Sequence, residues 1–112
     1  MDDIRDYLGK TVYVKMDRPI GSKHPRHGSI YPINYGFIPN TIGGDGEEID
    51  AYILGIAKPL EEFTGEVIAI IHRTNDNDDK LIVVNPGINY SDEEIRELTD
   101  FQEKYYQSLI LR

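Results

Sequence analysis

Hydrophobic and polar residues alternate from Thr11 to Met16. Val12, Val14 and Met16 fall on one side, Thr11, Tyr13 and Lys15 on the other, the period-two pattern of a half-buried strand. Two further strands are predicted over Ala51–Ala57 and Glu66–Arg73, the second largely buried through the run Val67, Ile68, Ala69, Ile70, Ile71. The polar stretch Thr74–Asp79 then reads as a turn into a strand at Lys80–Val84, a hairpin by pattern, which Pro86 and Gly87 end. Ser91 with Glu94 three positions later forms a capping box, and Asp92 and Glu93 sit where the helix dipole favours acids. Ile95, Leu98, Phe101, Tyr105 and Leu109 follow at helical spacing, predicting an amphipathic helix from Asp92 to about Leu109 that packs on the sheet. Four prolines and three glycines make Asp17–Pro39 irregular, yet Ile30, Tyr31, Ile33, Tyr35, Phe37 and Ile38 carry too much apolar surface for disorder. A long ordered loop in a small domain is usually a functional one. The expected fold is α+β: one domain over residues 1–112, a small closed or curled antiparallel β-barrel, OB-like, with a C-terminal amphipathic helix.

Composition narrows the function classes. With 39% hydrophobic and 29% charged residues the chain is in the globular range. It has no cysteine, which removes disulfides and thiolate metal sites and points to a reducing cytoplasm. The acidic start MDDIRDYLGK has no apolar core of a signal peptide, and the longest apolar run, Val67–Ile71, is too short to span a bilayer. A cytoplasmic protein with no membrane partner is expected. The net charge of −8 opposes a polyanion, so nucleic acid is not an expected partner. The basic residues crowd into one stretch, Lys15, Arg18, Lys23 and Arg26 with His24 and His27, which suits a small anion.

The acids crowd elsewhere. GGDGEEID, residues 43–50, is a turn that holds four carboxylates in its last six positions, Asp45, Glu47, Glu48 and Asp50. Such crowding raises carboxylate pKa values unless a cation is bound, and magnesium prefers oxygen ligands while keeping waters for substrate phosphates. The glycines allow a turn tight enough for Asp45 and Asp50 to meet at one ion. A solvated acidic turn is the competing explanation. The second acidic cluster, NDNDDK, is an ordinary polar turn on its own, but Lys80 directly after it supplies a point charge for phosphate.

The segment YPINYGFIPNTIGGDGEEIDAYILG, Tyr31 to Gly55, resembles the magnesium-dependent β-barrel family of soluble inorganic pyrophosphatases. The family run Tyr-Pro-x-Asn-Tyr-Gly-[Phe/Tyr]-Ile-Pro is intact at Tyr31, Pro32, Asn34, Tyr35, Gly36, Phe37, Ile38 and Pro39. The acidic loop after it matches at Asp45, Glu48 and Asp50, with Glu47 where the family has Asp. Asp78 and Lys80 fit the family's Asp-x-Lys, and Tyr105 matches a phosphate-binding tyrosine. The resemblance implies magnesium held by Asp45, Asp50 and Asp78, with Glu47 accepting a proton from the attacking water and Tyr35 near the nucleophile. It implies that Lys80 and Tyr105 bind phosphate oxygens, with Lys23 and then Arg26 the candidates from the basic stretch. The implied reaction is hydrolysis of inorganic pyrophosphate. Such phosphoryl transfer needs charge neutralisation and positioning more than covalent help.

The chain departs from the family pattern in several places. Arg73 and Thr74 stand where the family has an Asp-Glu pair, Tyr106 stands for a lysine, and the N-terminal portion is shorter. These departures keep two alternatives open, a different phosphoanhydride or nucleotide substrate, and a barrel that binds phosphate without turnover. Among the remaining residues, His24 and His27 admit a transition-metal site or an anion contact on a solvated loop. No third ligand spacing supports the metal. His72 reads as structural, Tyr31, Phe37, Phe63, Phe101 and Tyr106 as core or subunit contacts, and the acids from Asp92 to Glu103 mostly as a solvated helix face. A small core rich in aromatic residues, like the resemblance itself, leads to an expected homo-oligomer.

Overall fold

Six strands form one sheet that closes on itself in the computed structural model, which describes residues 2–112. A 3-10 turn at Ile4–Tyr7 precedes β1 (Thr11–Arg18), β2 (Asn34–Ile38), β3 (Ile49–Ile53), β4 (Glu62–Arg73), β5 (Lys80–Val84), α1 (Asp92–Glu103) and β6 (Ser108–Leu111). The strand order is β1-β2-β3-β5-β4-β6, and β1 returns to pair with β4, so five strands make a closed barrel. Closure is possible because β4 is long. Its first half, Glu62–Glu66, pairs with β1, and its second half, Ile70–Arg73, pairs with β6. Closure leaves the ring without the unpaired edges that an open sheet presents.

The barrel is mixed rather than antiparallel as expected, because β3 and β5 run parallel, Asp50 opposite Lys80 and Tyr52 opposite Ile82. Both strands are buried on two sides. Ala51, Ile53, Leu81 and Val83 point into the barrel with Val12, Val14, Ile38, Ile49, Val67 and Ile70. Tyr52, Leu54, Ile82 and Val84 form a second, outer core with Tyr31, Tyr35, Ala69, Ile71 and Ile95 of the helix. Two-sided burial is what a nearly continuous apolar run such as Lys80–Val84 encodes. In β4 the register slips between Val67 and Ala69, and the bulge makes Ile68 the extra residue. Val67 and Ile70 thus both face inward, three positions apart.

Several predicted boundaries differ from the structure: β1 runs on to Arg18, β4 starts at Glu62 rather than Glu66, and β6 is not predicted from the sequence. β2 lies inside the stretch read as irregular: prolines flank it, but none falls within Asn34–Ile38, and it pairs on both sides with β1 and β3. The third strand begins at Ile49 and ends at Ile53 rather than spanning Ala51–Ala57. The helix stops at Glu103, well short of Leu109. Its last turn tightens, with the Tyr105 and Tyr106 N–H groups donating to Gln102 and Glu103 carbonyls. The chain is then drawn onto β4, where the Thr74 N–H donates to the Gln107 carbonyl and Leu109 pairs opposite His72. Tertiary strand pairing overrides the helical spacing of Tyr105 and Leu109, both of which are largely exposed. The capping box at Ser91 and Glu94 forms as the sequence indicates. Among the described residues no helix is long and apolar enough to cross a membrane.

Candidate functional site

The outer faces of β2, β3 and β5 bring three polar side chains to one point. Tyr35 on β2, Asp50 at the start of β3 and Lys80 at the start of β5 are neighbours through the β2–β3 and β3–β5 registers. Lys80 Nζ donates to Tyr35 Oη at 2.7 Å and to Asp50 Oδ2 at 2.8 Å, and lies 2.7 Å from Asp78 Oδ2. Tyr35 in turn donates to Asp50 Oδ2 at 2.8 Å. Lys80 is only 1% exposed, so its charge relies on these partners. Four residues singled out from sequence, Tyr35, Asp50, Asp78 and Lys80, thus form one cluster.

Burial raises the pKa of Asp50, with Lys80 and the Tyr35 hydroxyl opposing the shift and the nearby Asp78 charge adding to it. Burial and the Asp50 charge hold the Tyr35 hydroxyl protonated far above its ordinary range.

Beside this cluster lies a second network that sequence reasoning did not assemble. Arg73, at the end of β4, is 3% exposed, and its Nε and Nη2 donate to Glu103 Oε1 at 3.0 Å and Oε2 at 2.7 Å. Its Nη1 lies 3.5 Å from Asp76 and 3.6 Å from Asp78, and its guanidinium stacks 3.6 Å over the Tyr106 ring. Burial alone would lower the pKa of Arg73, but the hydrogen bonds and charge of Glu103 outweigh it and keep the group ionised. Tyr52 donates to Glu103 at 2.6 Å, Gln102 donates to Tyr52 at 2.6 Å, and Tyr31 donates to Gln102 at 2.8 Å. Helix α1 therefore docks on the barrel through hydrogen-bonded polar groups as well as through Ile95. Burial pushes the Tyr31 hydroxyl up to about 12.

Two cavities adjoin the cluster. A polar one of about 180 Å³ is lined by Lys80, Arg73, Tyr35 and Asp78 together with Arg18 and His24 of the basic stretch. Its lining also includes Tyr106 and Tyr31. The other, about 700 Å³, is acidic and is lined by Asp45, Glu48, Asp76, Asp78 and Asp79 together with His72. Asp45 therefore shares a cavity with Asp78, but its Oδ1 accepts from the Glu47 N–H within its own turn. Glu47 is exposed and lines neither cavity. Lys23 and Arg26 are exposed on the basic loop, and it is their neighbours Arg18 and His24 that reach the polar cavity. Tyr105 lies outside it, half-exposed and stacked on His27 at 3.8 Å, while Tyr106 lines it.

The basic loop is organised around His24. Its Nδ1 accepts from the Arg26 and His27 N–H groups at 3.0 Å each, which requires an unprotonated nitrogen there. Burial lowers its pKa, and the nearby His27, Arg18 and Arg26 lower it further. His72 pairs with Asp79 at 2.8 Å. Ring contacts join His24 to Tyr31 and Tyr31 to Phe101, tying the loop to the helix.

Among the described residues no three carboxylate or imidazole groups converge to hold a metal by themselves. The donor chemistry nevertheless fits a hard cation. Asp50 and Asp78 are adjacent through Lys80, all their donors are oxygens, and magnesium uses one or two carboxylates with waters and phosphate completing its shell.

The sequence matches the inorganic pyrophosphatase family over residues 8–110. It is 35% identical over 78 residues to an inorganic pyrophosphatase of Pseudomonas aeruginosa, covering 62% of this chain and 43% of that protein. It is 62% identical over 24 residues to one of Helicobacter pylori, covering 21% of this chain and 14% of the relative. The chain thus spans less than half the length of either curated relative. Its fold is similar to that of a solved inorganic pyrophosphatase from Thermus thermophilus, with a TM-score of 0.64 at 19% identity over 99% of this chain and 84% of that one. A Helicobacter pylori structure gives a TM-score of 0.64 at 19% identity, covering 94% of this chain and 79% of that one. The intact run from Tyr31 to Pro39 supplies Tyr35 to the cluster, Asp50, Asp78 and Lys80 complete it, and the match extends over nearly the whole chain: this protein belongs to the inorganic pyrophosphatase family.

Proposed function

We propose that the chain hydrolyses inorganic pyrophosphate to phosphate, with magnesium held by Asp50 and Asp78 and its shell completed by waters and phosphate rather than by Asp45, which stays with its own turn. The observation that carries this reading is the cluster of Asp50, Asp78 and Tyr35 around the buried Lys80, of which Lys80, Tyr35 and Asp78 line a small polar cavity, in a chain of this family. Bound magnesium supplies charge neutralisation and lowers the pKa of the attacking water. The protein's own residues do the rest. Lys80, Arg73 and Arg18 face the cavity with fixed positive charge, which complements phosphoryl oxygens whose charge grows as the P–O–P bridge breaks. Tyr35 and Lys80 fix the orientation of Asp50 through two hydrogen bonds to one oxygen. Glu47 is the proposed proton acceptor, on a turn whose neighbours Asp45 and Glu48 line the same cavity as Asp78. Arg18 and His24, which reach the cavity, are better anion contacts than Lys23 and Arg26. Tyr106, stacked on Arg73, takes the place proposed for Tyr105.

Phosphate release from pyrophosphate by purified, magnesium-loaded protein tests the proposal, with Asp50→Ala and Asp78→Asn expected to abolish it. No release by the wild type would refute it. One observation favours a second reading, a phosphate-binding module without turnover: Glu47 is exposed and lines neither cavity. Tight phosphate binding by calorimetry with no hydrolysis across pyrophosphate and a nucleotide panel would establish that reading instead.

A further inference from the structure

We infer that His72, oriented by Asp79, is a further proton-accepting group of the site. The inference rests on the hydrolase reading above and adds a residue to it. Following a buried strand, His72 reads as structural in the sequence, yet its side chain is 45% exposed and lines the acidic cavity with Asp78. Its Nδ1 lies 2.8 Å from Asp79 Oδ2, and Asp79 Oδ1 accepts the Arg73 backbone N–H at 2.9 Å. Both oxygens of Asp79 are thus engaged, which fixes the carboxylate against the ring. An ionised carboxylate only accepts, so the neutral imidazole carries its proton on Nδ1 and keeps a lone pair on Nε2. A histidine base held by an orienting carboxylate is the arrangement that activates nucleophiles on several unrelated folds. Here the nucleophile is water. Asp78 lines both cavities, so with the phosphoryl group in the polar one the attacking water lies on the acidic side of this carboxylate. Nε2 takes the water's proton as the new O–P bond forms, while the bridging P–O bond breaks and its electron pair leaves with the departing phosphate. The imidazolium then shares its cavity with Asp76 and Asp78 of the hairpin turn, Asp45 and Glu48 of the acidic turn, and Asp3 and Arg5 at the N-terminus. That surrounding is net negative and stabilises the charge the ring acquires. The exposed ring returns the proton to solvent. Glu47 lines neither cavity, whereas His72 is on the wall of the acidic one.

Phosphate release from pyrophosphate by the full chain with magnesium tests this, together with an NMR readout that needs no turnover. His72→Gln lowers kcat by about a hundredfold or more and leaves KM little changed. His72→Ala loses as much and regains part of the rate when imidazole is added, which a purely structural role would not produce. In Asp79→Asn the side-chain oxygen stays with the Arg73 N–H, so the amide NH2 faces Nδ1 and drives the ring proton to Nε2. The base is then in the wrong tautomer, and kcat falls by at least about tenfold. NMR of the ring nitrogens reads the same change without substrate or metal, an unprotonated Nε2 in the wild type and an unprotonated Nδ1 in Asp79→Asn. An unprotonated Nδ1 in the wild type, His72→Gln turnover within about twofold of the wild type, or a His72→Ala variant that imidazole does not rescue overturns the inference. An active wild type with unaffected His72 variants leaves the hydrolase reading standing alone. A wild type that releases no phosphate defeats both.

Discussion

Lys80 is the residue on which the site and the barrel most depend together, and Lys80→Met tests that dependence. Methionine keeps the length and the apolar stem but deletes the ammonium that Asp50, Asp78 and Tyr35 share at 2.7–2.8 Å. Removing one partner of a fully buried ion pair costs roughly 3–5 kcal/mol because the other charge is left uncompensated. Here the lysine is buried but the two carboxylates are 24% and 30% exposed, so water relieves part of the loss and the low end applies, about 3 kcal/mol. For a chain of 112 residues that corresponds to a fall in Tm of about 12 °C. The loss has a signature in pH. Asp50 already has a raised pKa from burial, and without Lys80 the burial and the Asp78 charge act unopposed by the ammonium. A carboxyl raised in the fold contributes stability that is present below its unfolded pKa and lost as pH rises through its folded pKa. The variant should therefore lag the wild type most at pH 8 and recover part of the gap at pH 5, measured by thermal unfolding followed with circular dichroism. A fall of less than about 3 °C at pH 8, or a gap that does not narrow on acidification, would refute the assignment of Lys80 as the shared counter-ion.

Asp50→Asn should abolish phosphate release but cost less Tm than Lys80→Met, because Lys80 keeps Asp78 as a charged partner and the asparagine oxygen can still accept its hydrogen bond; a fall as large as that of Lys80→Met would contradict that. Gly36→Ala should cost at least about 2 kcal/mol in denaturant unfolding, since the new methyl would run into the Lys15 carbonyl and lie 2.9 Å from the Val14 side chain. An unchanged midpoint would show that β1 and β2 can separate. His24, with its pKa lowered by burial and by His27, Arg18 and Arg26, should hold the basic loop together above its unfolded value and release it as pH falls through its folded value. Hydrogen exchange at the Arg26 and Arg26-adjacent His27 amides, corrected for intrinsic rates, should lose protection from pH 7.5 to pH 5, and flat protection would count against the Nδ1 acceptor role.

Period-two alternation located β1, and the apolar runs located β4 and β5, because burial there repeats over several residues. β2 stayed hidden because the prolines and glycines around it describe its flanks, whereas Asn34–Ile38 takes its strand form from two partners distant in sequence. On the helix, Ile95, Leu98, Phe101, Tyr105 and Leu109 suggested one face; Ile95 and Phe101 do pack on the barrel, but the buried positions are Ile95, Thr99, Gln102 and Glu103. Those four are also at helical spacing, offset by four, seven and eight from the first. The pattern was present in the sequence but was written in polar residues, which a search for hydrophobicity passes over. Their partners, Tyr31, Tyr52 and Arg73, come from three separate segments, and only the closed barrel brings them together. Asp50, Asp78, Lys80 and Tyr35 were legible because their spacing follows a family pattern. Arg73 appeared only as a missing acid, and what it does instead depends on Glu103, thirty positions away.

The helix and the cluster around Lys80 are joined by charge rather than by apolar packing alone. Asp78 lies between Lys80 and Arg73, so its position depends on β5 through one cation and on α1 through the other. A displacement of α1 would move Glu103, release one side of Arg73 and leave Asp78 governed by Lys80 alone. An apolar helix contact would stabilise the barrel without transmitting anything to Asp78. The buried ion pair costs desolvation that a hydrophobic pair would avoid, and its compensation is geometric: it sets the carboxylates to a definite spacing at the mouth of the site. The polar docking of α1 is thus best understood as part of the site, and the closed barrel as the frame that holds Asp50 and Lys80 in register against it.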